Sequence, residues 1–381
     1  MIRFVRFSIL LVVCTVSCLA APQNRTYHND LLDPAYPNMQ EWAQAGVLLK
    51  NLTETHLLKQ VRLQPGDDLA AAVAIPEQVI TLTPGIYQIT QPLKFAHEVT
   101  LRADFPGQVQ LVVNLRGKRP TKPDASGYSP WTTALLLEGV NNSGIENLTI
   151  VFDHSQSAPV TTGNKRAAVD STPFAQDDFH VVLVRFSGSF NCWITGCTLR
   201  DSGNHPLILE SSNHITVDGV EIDGTYYKDE VSGSILLRGA DHCLLTGMVV
   251  NHVNHLIFTS DYAGQSNHYN VITNSRFNMD LRFENPSAKA NLLQECVIAV
   301  GAWHNFPPIT LSWNKQRAST PLEYNLVYYC TITRDFGPSN SSFSVADNPN
   351  QVYRILANST FKGNVEIAGP APQAGTLWPV K

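Results

Sequence analysis

The chain has 381 residues, of which 43% are hydrophobic and 15% charged, so it can bury a large core and is not a disordered chain. Its formal net charge is −5. Bulk charge therefore argues against nucleic acid as a partner, and an acidic polymer would need a local basic patch.

The N-terminus reads MIRFVRFSILLVVCTVSCLAA: Arg3 and Arg6, an apolar run from Phe7 to Val16, then small residues with a cut after Ala20. That is the pattern of a secretory signal, too short for a membrane anchor, and it predicts a secreted or periplasmic protein. Ser17-Cys18 offers lipid attachment as the weaker alternative, because Thr15 fits that pattern poorly. No other stretch is long enough to span a bilayer. Without Arg3 and Arg6 the mature chain has 25 basic and 32 acidic residues, net −7. It keeps five cysteines: Cys192, Cys197, Cys243, Cys296 and Cys330. An odd number without CxxC spacing supports neither a disulfide framework nor a zinc site.

NMQEWAQAGVLLKNL and DDLAAAVA each predict a short helix over the N-terminal end of the strand-rich region, and QVITLTPGIYQIT enters the first strands. From Ile145 onward one six-residue phrase recurs, apolar–x–Gly/Asn–x–x–apolar. Its copies start at Ile145, Ile194, Val217, Leu245, Ile272, Leu293, Val327 and Leu356. Leu293 and Val327 keep the apolar places but lose the Gly or Asn. The 49-residue gap after Ile145 leaves room for one unrecognised or interrupted copy. Imperfect repetition at such periods marks a solenoid.

The phrase holds two short strands that turn at its third place, where Gly or Asn tolerates a left-handed backbone. Asn147, Asn274 and Asn358 are expected to stack near that turn, and Cys197, Cys296 and Cys330 to form a column of small buried residues. Each repeat carries a further strand-like run: PLILES, SILLRG, HLIFTS, DLRFEN. Three short strands per coil predict an all-β protein, a single right-handed parallel β-helix with an N-terminal helical cap. The expected division is a signal peptide at 1–20, an N-terminal extension and helical cap at 21–62, the β-helix at 63–369 and a tail at 370–381.

On a strand alternate side chains face out. The expected outward columns of the third strand are Ser234–His255–Asp280, Leu236–Ile257–Arg282 and Glu210–Arg238–Thr259–Glu284. Flanking loops add Tyr226, Tyr227, Lys228, Asp229 and Glu230, then Asp261 and Tyr262, then Trp303 and His304. His205 lies beside this face. Aromatics beside charges suit a sugar. A plain solvated strand with surface ion pairs such as Glu210–Arg238 is the bland alternative. His214, His242 and His268 stand at matching points of successive coils, and such repetition favours structure over catalysis.

This pattern resembles the pectate-lyase-like superfamily of parallel β-helix proteins. The carriers are PGDDLAAAVA…VITLTPGIYQIT and the Gly/Asn-turn phrases, from Leu63 to Gly369. The resemblance implies an extracellular polysaccharide lyase, hydrolase or epimerase, with substrate along the strand after the phrase. GSILLRGADH is similar to the strand that carries a catalytic arginine in alginate and chondroitin lyases, which maps it to Arg238. Those enzymes need a lysine one coil earlier, where this chain has ESSNH. The Gly-His-Gly and Arg-x-Lys of polygalacturonases are absent, and the lyases' calcium-binding acids are not recognisable; no cofactor is evident, though calcium stays open.

The reading is a carbohydrate-active enzyme on a uronic-acid-containing polysaccharide, with a lyase preferred. β-Elimination needs a cation on the uronate, a base and an acid. The expected catalytic set is His255 as base with Arg238, Lys228 and Tyr262. The expected substrate contacts are Arg282, Asp280, Glu284, Glu210, Tyr226, Tyr227, Asp261, Trp303, His304 and His205. The alternatives are a hydrolase or epimerase on the same fold, a glycan-binding β-helix, or a structural protein that associates through outward Leu236 and Ile257.

Overall fold

The structure, a computed structural model, describes residues 36–49, 52, 57–120, 130–155, 178–228, 231–259, 267–283, 288–301, 308–311, 325–328, 330–334, 352–353, 356–357 and 377–378. Every strand pairing among them is parallel, and the strands form three long sheets wound about one core, a right-handed parallel β-helix. The first sheet runs from Lys59–Leu63 to Val352–Tyr353, the second from Gly85–Ile89 to Leu356–Ala357, and the third from Leu93–Lys94 to Ile309–Leu311. Ladders of like apolar residues fill the core: Ile145, Ile194, Val217, Leu245, Ile272, Leu293 and Val327 follow one another on adjacent strands, all at most 1% exposed.

The phrase spans the corner between the first and second sheets. Asn147, Gly196, Gly219, Gly247 and Asn274 occupy its third place with φ of 59°, 59°, 59°, 61° and 50°. Glu295 replaces them in LQECVI and still turns at φ 52°, so the stacked coils impose the left-handed bend. Asn147 Nδ2 donates to the Ala103 carbonyl in the neighbouring coil, as expected for a turn column. Asn358 lies outside the described residues. All five described cysteines are free and buried, and burial pushes the thiols of Cys192, Cys197 and Cys243 up to about 12.

Three details differ from the sequence reading. The gap after Ile145 holds no extra coil, since Gly144–Glu146 pairs directly with Trp193–Thr195. It is one coil, interrupted between Phe152 and Val181. The last copy starts at Val352, which pairs with Val327, while Leu356 pairs with Thr331 in the second sheet. The final phrase thus lies four residues earlier than its apolar spacing suggests. The histidine column is His214, His242 and Tyr269, all left-handed at φ 55°, 48° and 54°. The rings of His214 and His242 stack at 5.3 Å and Tyr269 lies 5.0 Å beyond. His268 instead aligns with Asp241: His214 N donates to the Asp241 carbonyl and His242 N to that of His268.

The two expected helices part company. The α1 helix is Met39–Trp42 and α2 is Leu69–Val73. The Asp68 side chain caps α2 by accepting from Ala71 N, and Leu69 and Val73 close the N-terminal end of the core. The α1 helix does not cap that end. It lies outside the first sheet on Leu244, Val271, Leu292, Leu326 and Tyr328. Residues 36–49 form a strap that runs back across the coils. Trp42 Nε1 donates to Ala290 O (2.7 Å), Gly46 N to His242 O (2.8 Å), Val47 N to Thr216 Oγ1 (2.8 Å) and Leu48 N to Asn191 Oδ1 (2.6 Å). Trp378 Nε1 from the other chain end donates to Trp42 O (3.1 Å). No helix among the described residues is long and apolar enough to cross a membrane.

Candidate functional site

The third sheet presents the expected columns. Register pairs His255 with Asp280, Leu236 with Ile257 and Arg282, and Glu210 with Arg238 and Thr259. Inward alternates Ile235, Leu237, Leu256, Phe258, Leu281 and Phe283 belong to the core. The outward face is not a solvated strand, however. His255 and Asp280 are 0% exposed, Glu210 1% and Arg282 4%. Leu236 and Ile257 form a second buried cluster with Val182 and Ile208, against which Trp131 and Val231 pack. Association through exposed apolar strands therefore has no basis at these two residues.

The charges fall into two groups. In one, His255 Nδ1 lies 2.5 Å from Asp280 Oδ1, and Arg282 Nε donates to Asp280 Oδ2 at 3.0 Å. A buried carboxylate held by an arginine thus fixes the ring and places its proton on Nδ1. In the other, both Arg185 Nε and Nη2 donate to Glu210 Oε2, and Arg238 Nη1 donates to Glu210 Oε1 at 3.1 Å. Glu210–Arg238 is part of a buried three-member network, not a surface pair.

Register separates the groups. Arg238 lies one strand and four residues from His255, about 14 Å between Cα atoms. Asp280 lies three strands and four residues from Glu210, roughly 19 Å by the same spacing. Arg282, not Arg238, accompanies the histidine. Lys228 is fully buried and its Nζ donates to Thr225 O at 2.6 Å. His205 is 1% exposed and donates Nδ1–H to the Ser234 carbonyl at 2.8 Å, since a carbonyl can only accept. Tyr227 stacks on His180 at 3.9 Å, Tyr226 meets Phe179 edge-on at 5.4 Å, and Trp131 meets His205 edge-on at 4.9 Å. Tyr262, Asp261, Glu284, Trp303, His304, Asp229 and Glu230 lie outside the described residues.

Arg185, His180 and Trp131 escape the sequence reading because the interrupted coil hides their alignment. A signal is present: VVLVRFSGS resembles SILLRGAD in pattern, with an outward arginine before the corner. Among the described residues no three His, Cys, Asp or Glu side chains are grouped as ligands for a metal ion.

No family model matches the chain, and no curated protein matches it. Solved structures do. A hyperthermoactive exopolygalacturonase from Thermotoga maritima is similar over 84% of this chain and 83% of its own, with a TM-score of 0.52 and 10% identity. A family 28 exopolygalacturonase from Yersinia enterocolitica is similar over 78% and 72%, with a TM-score of 0.45 and 10% identity. The catalytic domain of a GH87 alpha-1,3-glucanase is similar over 80% and 53%, with a TM-score of 0.48 and 12% identity. At these identities the likeness to the Thermotoga enzyme shows the fold alone, a parallel β-helix.

Proposed function

We propose that the chain is an exported carbohydrate-active enzyme that binds an acidic polysaccharide along the third sheet and cleaves it by β-elimination, with His255 as the base. The observation that carries this is the Arg282–Asp280–His255 relay. Asp280 holds His255 by Nδ1, which leaves Nε2 as the basic nitrogen, the orientation a general base requires. Arg282, on the same strand as Asp280 and two residues along it, is the cation that would meet the uronate. Arg185 and Arg238 give the same face a second cationic position farther along the strands. Tyr262 or Tyr227 would serve as acid to the leaving oxygen. Lys228 suits that role less, because its amine is held on Thr225 O.

Spacing argues against hydrolysis by Glu210 with Asp280. Hydrolysis needs two carboxyl groups about 5–9.5 Å apart. Glu210 and Asp280 stand at about twice that, and each is engaged by arginine. Asp229, Asp261 and Glu284, or Glu138, which stands two strands from Glu210 in the same column, are the acids a hydrolase would have to use.

The test is absorbance of the unsaturated uronate while the mature protein meets alginate, pectate, glycosaminoglycan and ulvan-type polymers. The expected result is a rise that disappears in His255→Ala and falls steeply in Arg282→Ala. New reducing ends without that rise would replace elimination by hydrolysis. Neither signal, with retained polymer binding, would leave a glycan-binding β-helix. Export is checked by the N-terminal residue of protein recovered outside the producing cell, which is expected to be Ala21.

A further inference from the structure

His255 has a neighbour on each side. Asp280 is on one strand, and Ser234 is on the other. The parallel ladder Ile235–Leu256 extends one residue back, where Asn254 N donates to Gly233 O at 2.8 Å, so Ser234 stands level with His255. Gly233 turns at φ 73° just before it, and a Cβ there would sit 2.0 Å from Tyr227 O, so only glycine fits the bend that delivers the serine. Ser234 is 0% exposed, and its hydroxyl makes no hydrogen bond in the structure. Thr195, Thr225, Thr259 and Thr273 also bury unbonded hydroxyls, but none stands beside a histidine in its ladder. On the imidazole, Nδ1 faces Asp280, so Nε2 lies on the opposite edge of the ring, the side of the strand that carries Ser234; the serine hydroxyl is not hydrogen-bonded to it in the structure and would have to rotate onto it.

We propose that Ser234, His255 and Asp280 form a nucleophile–base–orienter triad laid across three adjacent strands, and that it hydrolyses short O-acyl esters of sugar hydroxyls. This goes beyond the elimination reading and does not rest on it. Ser234 Oγ attacks the acyl carbon while His255 Nε2 takes its proton. The C–O bond to the sugar breaks and the sugar oxygen leaves with that proton. Water, deprotonated by His255, then releases the carboxylic acid and restores the serine. The serine is fully buried, so the smaller the acyl group the less its cover must shift, and acetyl is the natural case.

The experiment treats the full mature chain with methanesulfonyl fluoride, a reagent close to acetyl in size, maps the labelled peptide by mass spectrometry, and measures acetate release from an acetylated uronate polymer. The expected result is sulfonylation at Ser234 and acetate release that falls at least about 10³-fold in Ser234→Ala. Ser234→Ala deletes an unbonded buried hydroxyl, so its melting temperature should hold or rise, which separates lost chemistry from lost folding. No label on Ser234, or acetate release equal in wild type and Ser234→Ala, would overturn the triad. Acetate without unsaturated uronate supports the triad and defeats elimination; unsaturated uronate without acetate does the reverse.

Discussion

Glu210 is a buried anion between two cations, and its energetics follow from that. Removing its charge takes the counter-charge from the buried Arg185 and one partner from the partly buried Arg238, and breaking such a buried pair typically costs about 3–5 kcal/mol. Glu210→Gln is therefore expected to lose stability on that scale in urea unfolding. Asp280→Asn is expected to act on rate. It would place a donor or the wrong tautomer against His255 Nδ1, and turnover of whichever substrate is confirmed should drop by about 10⁴. Glu146, on the first sheet, is a contrasting buried acid. Burial pushes its carboxyl above the usual 4.5, partly offset by Trp193 Nε1 donating at 2.8 Å and by the charge of Arg102. A raised carboxyl favours folding at low pH, and that contribution is lost as pH rises past 4.5 through the raised value. Glu146→Gln keeps the Trp193 bond and should flatten this limb in thermal melts, gaining relative to wild type toward neutral pH. At this scale sequence shows which residues share a column, because strand alternation has a period of two. It does not show that Glu210, Asp280 and His255 are buried, since outward is not the same as exposed.

The strap is an element with no periodic signature. Its partners lie more than a hundred residues away, at Asn191, Thr216, His242 and Ala290, so nothing local in NMQEWAQAGVLL distinguishes a strap from a cap. Helix α2 is legible because its cap, Asp68, is the residue next to it in the sequence. Trp42 is fully buried in the strap, and Trp42→Ala should cost about 3–5 kcal/mol. Glu41 adds a pH-dependent contact. Burial lowers His242, but Asp241 and Glu41 outweigh it and raise the imidazole above 6.5. That stabilisation is complete below 6.5 and is lost as pH rises through the raised value. His214, beside it, is lowered by burial and then by His242, and opposes the trend as pH falls. Glu41→Gln should cost about 0.5 kcal/mol on the acid side and little on the alkaline side, because Glu41 is partly exposed.

For the whole molecule, each coil touches chiefly its neighbours, so stability is nearly a sum over adjacent coils. The strap and the Trp378–Trp42 bond add contacts between distant coils and between the two chain ends. They also set an order of events. Residues 36–49 leave the ribosome before the coils they cross, yet the surfaces they cover belong to strands as late as Leu326–Tyr328. A segment made before the coils is therefore placed only after they have stacked. In refolding, the change in Trp42 environment should trail the gain of β-sheet signal, and during synthesis this segment stays undocked until almost the whole chain has been made.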